Sequence, residues 1–237
     1  MTVPYQRLSS PETELLARLS IFADLPASEL EELAGKLQWR SFAKGEIIYH
    51  HDDLPGSLYV LVSGQVKIRL VSQKANRQVT FAWISPGSFF GTISLLDEGH
   101  RNSDAVAVEP CRILALNREH FRAYLLSHPA AMEALMETMA QRWRKTIQQF
   151  YDHAFLDVPG RLAKILLQLA EEQAGDGFKP PIQLKSLSQR ELASLAGTTR
   201  ESINKWLHFF VHQGWVEFNK GTVTIHRPAE LRERITA

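Results

Sequence analysis

Ser188-Gln-Arg-Glu-Leu-Ala-Ser-Leu-Ala-Gly-Thr-Thr-Arg-Glu-Ser-Ile-Asn-Lys-Trp-Leu-His-Phe-Phe210 decides how this chain is read. Leu192, Ala193, Leu195 and Ala196 predict one short helix, with Ala193 small where a second helix crosses it. Gly197 follows, and glycine accepts the positive φ that ends a helix and turns the chain. Thr198 or Thr199 then caps a second helix through its hydroxyl. In that helix Ile203, Trp206, Leu207 and Phe210 share one face. Arg200, Glu201, Asn204, Lys205 and His208 occupy the other. The segment therefore predicts a helix-turn-helix whose polar face suits the major groove of DNA. An ordinary helical hairpin has a solvated face too. The combination of crossing alanine, turn glycine, buried Ile and Trp, and long hydrogen-bonding side chains at the start of helix two favours DNA.

Around this segment the charge is locally basic. Between Lys185 and Arg227 six basic residues stand against three acidic ones, a net +3, with three histidines besides. Such an excess suits phosphate contacts, although the chain as a whole carries only +1. After the segment, Trp215-Val-Glu-Phe218, Asn219-Lys-Gly221 and Thr222-Val-Thr-Ile225 predict two strands around a tight turn. That hairpin makes a winged helix, with Lys220 at the wing. Before the segment, Asp157-Val-Pro-Gly160 opens a helix with apolar face Leu162, Ile165, Leu166 and Leu169, and residues 174–181 form a loop.

Upstream lies a longer region of different texture. Residues 11–37 predict amphipathic helix, with Ser28 as cap and Glu31 three residues on. From about Trp39 to Leu116, β-rich runs alternate with turn residues: 46–49, 57–62, 65–71, 78–84, 105–108 and 111–116. Many short strands predict a small sandwich or roll. A long helix follows from Asn117 to His153, with a break near His128-Pro129. Met132, Met136, Met139, Trp143, Thr146 and Phe150 recur in alternate steps of four and three, a heptad seam through which two copies pair. Leu135, Ile147 and Tyr151 supply a second stripe for the helix's own domain.

Composition narrows the function classes. A chain of 237 residues, 44% hydrophobic and 22% charged, holds two ordinary globular cores. The single cysteine, Cys111, makes no intrachain disulfide and cannot hold an iron–sulfur cluster. Met1–Ser20 does not read as a signal peptide and no apolar run matches a membrane span, so a cytoplasmic protein with no membrane partner is expected. His50-His51-Asp52-Asp53 suggests a metal-dependent enzyme at first sight. Neighbours on a strand or tight turn point different ways, however, so no catalytic or metal site is expected there.

The order of parts resembles the CRP/FNR family of bacterial transcription regulators, from about Ile21 to Arg227. Pro86-Gly-Ser-Phe-Phe-Gly91, the hinge Phe155-Leu-Asp-Val-Pro-Gly-Arg-Leu162, and Ser188 to Lys205 carry the likeness. It implies an α+β chain: a double-stranded β-roll of the cyclic-nucleotide-binding kind, a long dimerisation helix and a C-terminal winged helix-turn-helix. The expected parts are an extension at 1–20, the roll at 21–128, the dimerisation helix at 129–154 and the DNA-binding domain at 155–237. The seam of Met132, Met136, Met139, Trp143 and Phe150 then joins a homodimer, whose symmetry matches palindromic double-stranded DNA. Arg200, Glu201 and Lys205 fall where the family reads bases, with Lys205 in place of a usual Arg; Thr199, Asn204, Gln189 and Lys220 are further expected DNA contacts. RNA polymerase is the implied further partner of an activator, through the loop Gly175–Pro181.

For the roll, the resemblance implies a small effector, cyclic AMP or another. The corresponding residues are Gly91, Thr92, Ile93, Ser94, Arg101, Asn102 and Ser103, joined by Thr146 of the long helix. Three positions depart from the cyclic-AMP pattern. Thr92 replaces a ribose-binding Glu, a gapless alignment sets Asn102 at the phosphate-binding Arg with Arg101 one residue early, and Asp104 brings a charge that repels phosphate. An effector-independent regulator is the alternative.

Overall fold

Strands 57–63 and 111–117 are apolar without alternation because both of their faces are covered. Leu58, Val60, Leu114 and Leu116 point into one buried cluster, while Tyr59, Leu61, Ile113 and Ala115 point into another. The computed structural model describes residues 10–72, 77–97, 99–175, 177–185 and 187–236. They fall into two compact units, 1–73 with 81–143, and 144–237 with 74–80.

The first unit begins with α1 (Pro11–Ala17) and α2 (Ala27–Ala34). The strands are β1 (Leu37–Phe42), β2 (Ile47–Tyr49), β3 (Ser57–Ser63), β4 (Val66–Ser72), β5 (Arg77–Ile84), β6 (Phe89–Phe90), β7 (Asp104–Ala107) and β8 (Cys111–Asn117), with the single turn α3 (Ile93–Leu96) between β6 and β7. They form two four-stranded sheets, ordered β1-β8-β3-β6 and β2-β7-β4-β5. Tyr59 opposes Phe90 and Ala115, and Ile68 opposes Ala105, in antiparallel register. This is the expected roll.

The helix expected over 11–37 is instead two short helices and the start of a strand. Leu37 begins β1, opposite Leu116. The expected Ser28 cap is also absent, since α2 starts at Ala27 with Pro26 before it and no side-chain cap. Pro26, whose ring fixes its own φ, takes the N-cap place instead, so the helix begins two residues early and without a hydroxyl cap. The long helix breaks where expected: α4 (Arg118–Ser127) ends at His128 and α5 (Pro129–Phe155) begins at the proline. Leu135 is buried in the first unit's core, whereas Ile147 and Tyr151 are exposed and belong to no buried core cluster among the described residues.

The second unit holds the end of α5, then α6 (Val158–Ala174), β9 (Ile182–Leu184), α7 (Gln189–Leu195), α8 (Arg200–His212), β10 (Val216–Asn219), β11 (Thr222–Ile225) and α9 (Pro228–Thr236). Asp157 caps α6 by accepting from Gly160 N at 3.0 Å and pairs with Arg234 of α9. Sequence reading finds neither β9 nor α9. β9 completes a sheet of order β10-β11-β9, and α9 buries Leu231. One core, including Leu162, Leu166, Leu192, Ile203, Leu207 and Phe210, holds the helices on that sheet.

Candidate functional site

The turn between α7 and α8 is built as the sequence requires. Ser188 and Glu191 form a reciprocal capping box on α7. Gly197 has φ +58°, and Thr199 caps α8 by accepting from Ser202 N at 3.2 Å. Burial of Ile203, Leu207 and Phe210 turns the opposite side of α8 outward. Arg200, Glu201, Lys205 and His208 are exposed there, and Asn204 is half-buried. The Glu201 carboxyl is held below its ordinary range by its own backbone N–H and by the Thr199 hydroxyl, so it stays an anionic acceptor. Lys205 extends its ammonium 5.3 Å from the centre of the Trp206 ring. Gln189, at the start of α7, reaches Asn204 and Arg200. Lys220 sits exposed in the turn between β10 and β11, with φ +44°, followed by Gly221 at +79°. Two successive positive φ values match the tight hairpin expected of a wing.

In the roll, Arg101 rather than Asn102 points inward. Asn102 is exposed, whereas Arg101 is 2% exposed. Its Nη1 donates to Gly91 O at 2.6 Å and Ser94 Oγ at 3.1 Å, and its Nη2 donates to Ser57 O at 2.7 Å. The guanidinium lies 4.5 Å from the Tyr49 ring centre and 5.6 Å from that of Tyr59. Its Nε is buried with no hydrogen-bond partner among the described residues. Of these two neighbours, Arg101 is thus the one whose side chain is buried within the roll. Gly91, with φ +79°, lets the cation approach: a β-carbon there would fall 2.9 Å from Nη1.

Asp104, expected to repel a phosphate, has a cationic partner in the roll. Its Oδ2 accepts from Arg69 Nε and Nη2, both at 3.1 Å, and its Oδ1 accepts from His51 N at 2.8 Å. That pairing neutralises the carboxylate. Thr92 is buried and its hydroxyl approaches Met139 Sδ at 4.0 Å, while Ser94 and Ser103 are buried and Ile93 is exposed. Thr146 is half-buried on the part of α5 that belongs to the second unit.

Sequence reading missed Tyr49, Tyr59, Ser57 and Arg142. Arg142 donates to Phe89 O at 2.6 Å and stacks on the Phe89 ring, and its burial lowers its pKa. Burial pushes Tyr49 up to about 12, so its phenol stays protonated beside Arg101. Tyr49 lies on β2, Ser57 and Tyr59 on β3 and Arg142 on α5, so no single local motif joins the set.

Along α5, Met132 and Met139 pack partly on the first unit's core. Met136, Trp143 and Phe150 stand exposed at seven-residue intervals. Among the described residues, no group of His, Cys, Asp and Glu is placed to hold a metal ion, and no helix is long and apolar enough to cross a membrane.

A model described as a cyclic nucleotide-binding domain matches residues 39–128, and one described as a Crp-like helix-turn-helix domain matches 160–234. The CRP-like cAMP-activated global transcriptional regulator of Mycobacterium tuberculosis is 33% identical over 224 residues, 93% of this chain and 98% of the relative. The chain belongs to the CRP/FNR family of transcription regulators. This regulator is also 33% identical over 213 residues to the cyclic AMP receptor protein of Thermus thermophilus, 90% of this chain and 95% of the relative. In fold it resembles the c-di-GMP responsive global regulator CLP of Xanthomonas campestris, with a TM-score of 0.74 at 22% identity over 85% of this chain and 99% of that one. It is therefore a DNA-binding regulator and not an enzyme. Its N-terminal domain is of the kind that takes a small-molecule effector. His50–Asp53 is a turn, with Asp52 at φ +68°.

Proposed function

We propose that this CRP/FNR regulator acts as a cytoplasmic homodimer, paired along α5, that reads a palindromic site under control of a small anionic effector in the roll. Arg200 and Lys205 donate to guanine O6 and N7, and Glu201 accepts from cytosine N4, at a half-site similar to TGTGA. Thr199, Asn204, Gln189 and Lys220 add contacts around them. Two-fold symmetry sets the half-sites about 34–36 Å apart. RNA polymerase is the further partner at an activated promoter, through the loop between Gly175 and Pro181.

The observation that carries the effector is the buried Arg101 Nε with no acceptor among the described residues. A buried guanidinium nitrogen left unpaired favours an anion that supplies the missing oxygen. Ser94 and the Gly91 turn stand beside it, and cyclic AMP appears in the names of both relatives above. A cyclic nucleotide is therefore the effector class of choice, with Arg101 in the role that alignment would give Asn102. The effector shifts the population toward the DNA-competent arrangement by no more than its difference in affinity for the two states.

The test selects preferred sites from random DNA with and without cyclic AMP or cyclic GMP, then titrates each nucleotide into the protein calorimetrically. Binding that disappears in Arg101→Gln, and that changes DNA affinity, supports the assignment. Sequence-specific DNA binding that no cyclic nucleotide alters makes the regulator effector-independent. The satisfied Nη1 and Nη2 of Arg101 favour that second reading.

A further inference from the structure

Gln189 belongs to α7, yet its amide spans the gap to α8. Its Nε2 donates to Asn204 Oδ1 at 2.7 Å, and its Oε1 accepts from Arg200 Nε at 3.3 Å. One amide on the supporting helix therefore ties together two side chains a turn apart on the outward face of the recognition helix. Arg200 is exposed, while Gln189 and Asn204 are half-buried, so the chain runs from packed protein out to the edge where DNA would lie. Among the described residues, Gln189 is the hydrogen-bond partner of the Arg200 side chain.

The two ends are constrained differently. With Nε engaged, Arg200 has its terminal Nη1 and Nη2 left as the fork for a base edge. With Oδ1 engaged, Asn204 has its Nδ2 donors left. A long flexible side chain held in one plane before binding loses less entropy on binding.

We propose that Gln189 is a positioning residue: it holds Arg200 and Asn204 in register and thereby sharpens discrimination at the base pair Arg200 reads, without itself touching a base. This rests on the reading that Arg200 contacts a base.

The experiment uses the full-length protein and its selected site. Dissociation constants are measured for that site and for every single-base-pair substitution of one half-site, in wild type, R200A, Q189A, Q189E and the R200A/Q189A double variant. The expected result is that Q189A lowers discrimination about tenfold at the same pair that R200A affects. Pairs outside the reach of Arg200 and Asn204 keep their discrimination, and the double variant loses no more at that pair than R200A alone. Q189E keeps the acceptor for Arg200, so it retains most of the discrimination there while its added charge weakens binding at every sequence. Should Q189A destabilise α7, Q189M, which keeps the packing of the stem, takes its place. Equal weakening by Q189A at all sequences, or penalties of Q189A and R200A that add in full, would overturn the proposal. If R200A leaves every preference intact, the base-reading assignment of Arg200 fails first, and the role of Gln189 goes with it.

Discussion

The imidazole of His153 lies so close to Gly197 that a β-carbon on the glycine would fall 2.2 Å from Cε1 of the ring. The end of α5 is thus packed on the helix-turn-helix turn itself. Arg161 ties the same place together, donating to Ala196 O at 2.9 Å and to Leu156 O at 2.6 Å.

Gly197→Ala meets two penalties there, the left-handed backbone at φ +58° and the clash with the ring. Together they should destabilise the protein by about 2–4 kcal/mol. Adding His153→Ala removes the clash and leaves the backbone cost of about 1–2 kcal/mol. Urea midpoints of the two single variants and the double variant measure the coupling. Fully additive effects would show that the ring and the turn do not press on each other.

The pH dependence of stability has two histidine contributions of opposite sign. Burial, then Arg161, lowers the pKa of His153 below the ordinary 6.5. The unfolded chain therefore takes up that proton first, and stability is lost as pH falls through 6.5 toward the folded value. His128 is raised, chiefly by the Tyr124 carbonyl at 2.8 Å and then by Glu29 at 2.5 Å. Its contribution is present below 6.5 and is lost as pH rises through the folded value. Unfolding between pH 5 and 8 should show His153→Gln removing an acid-side loss and His128→Gln removing an alkaline-side loss. The same slope change in both variants would contradict these assignments.

How far the sequence reveals this molecule depends on how local each signal is. The turn at Gly197, a threonine cap just after it and the break at Pro129 each involve residues within one turn, and all are legible; the capping box at Ser188 and Glu191 is as local, but sequence reading missed it. The start of β1 reads as helix because Leu30, Leu33 and Leu37 keep helical spacing, and only pairing with β8 makes Leu37 a strand residue. β9 and α9 are short, and both owe their place to the core they cover. The surroundings of Arg101 were illegible for a sharper reason. Counting residues from Gly91 cannot say which of two neighbours points inward, since that parity depends on the path of the turn before β7.

Arg101 should also be structural. Replacing it with Leu leaves the carbonyls of Gly91 and Ser57 buried without their donor, which should cost about 2–4 kcal/mol. Arg101→Lys should recover only part of this, because one ammonium lacks the planar fork that spans Gly91, Ser94 and Ser57. Thermal melts of the ligand-free protein test it. An unchanged melting temperature in Arg101→Leu would mean that those carbonyls find other partners.

Trp143 and Phe150 are 66% and 74% exposed on a 27-residue helix, one heptad apart and in line with Met136. Large apolar side chains in such a row on a water-soluble surface are expected to be covered by a partner, and the seven-residue spacing fits a second copy of the same helix. A carboxylate at either position would be buried without a counter-charge in that pair, so Trp143→Glu or Phe150→Glu should shift sedimentation from dimer toward monomer. Affinity for a two-half-site duplex should fall far more than affinity for a single half-site, because the two halves no longer bind as one unit. Arg144→Glu, an exposed neighbour off the row, controls for charge alone. If all three variants stay dimeric, the pairing surface lies elsewhere than along α5.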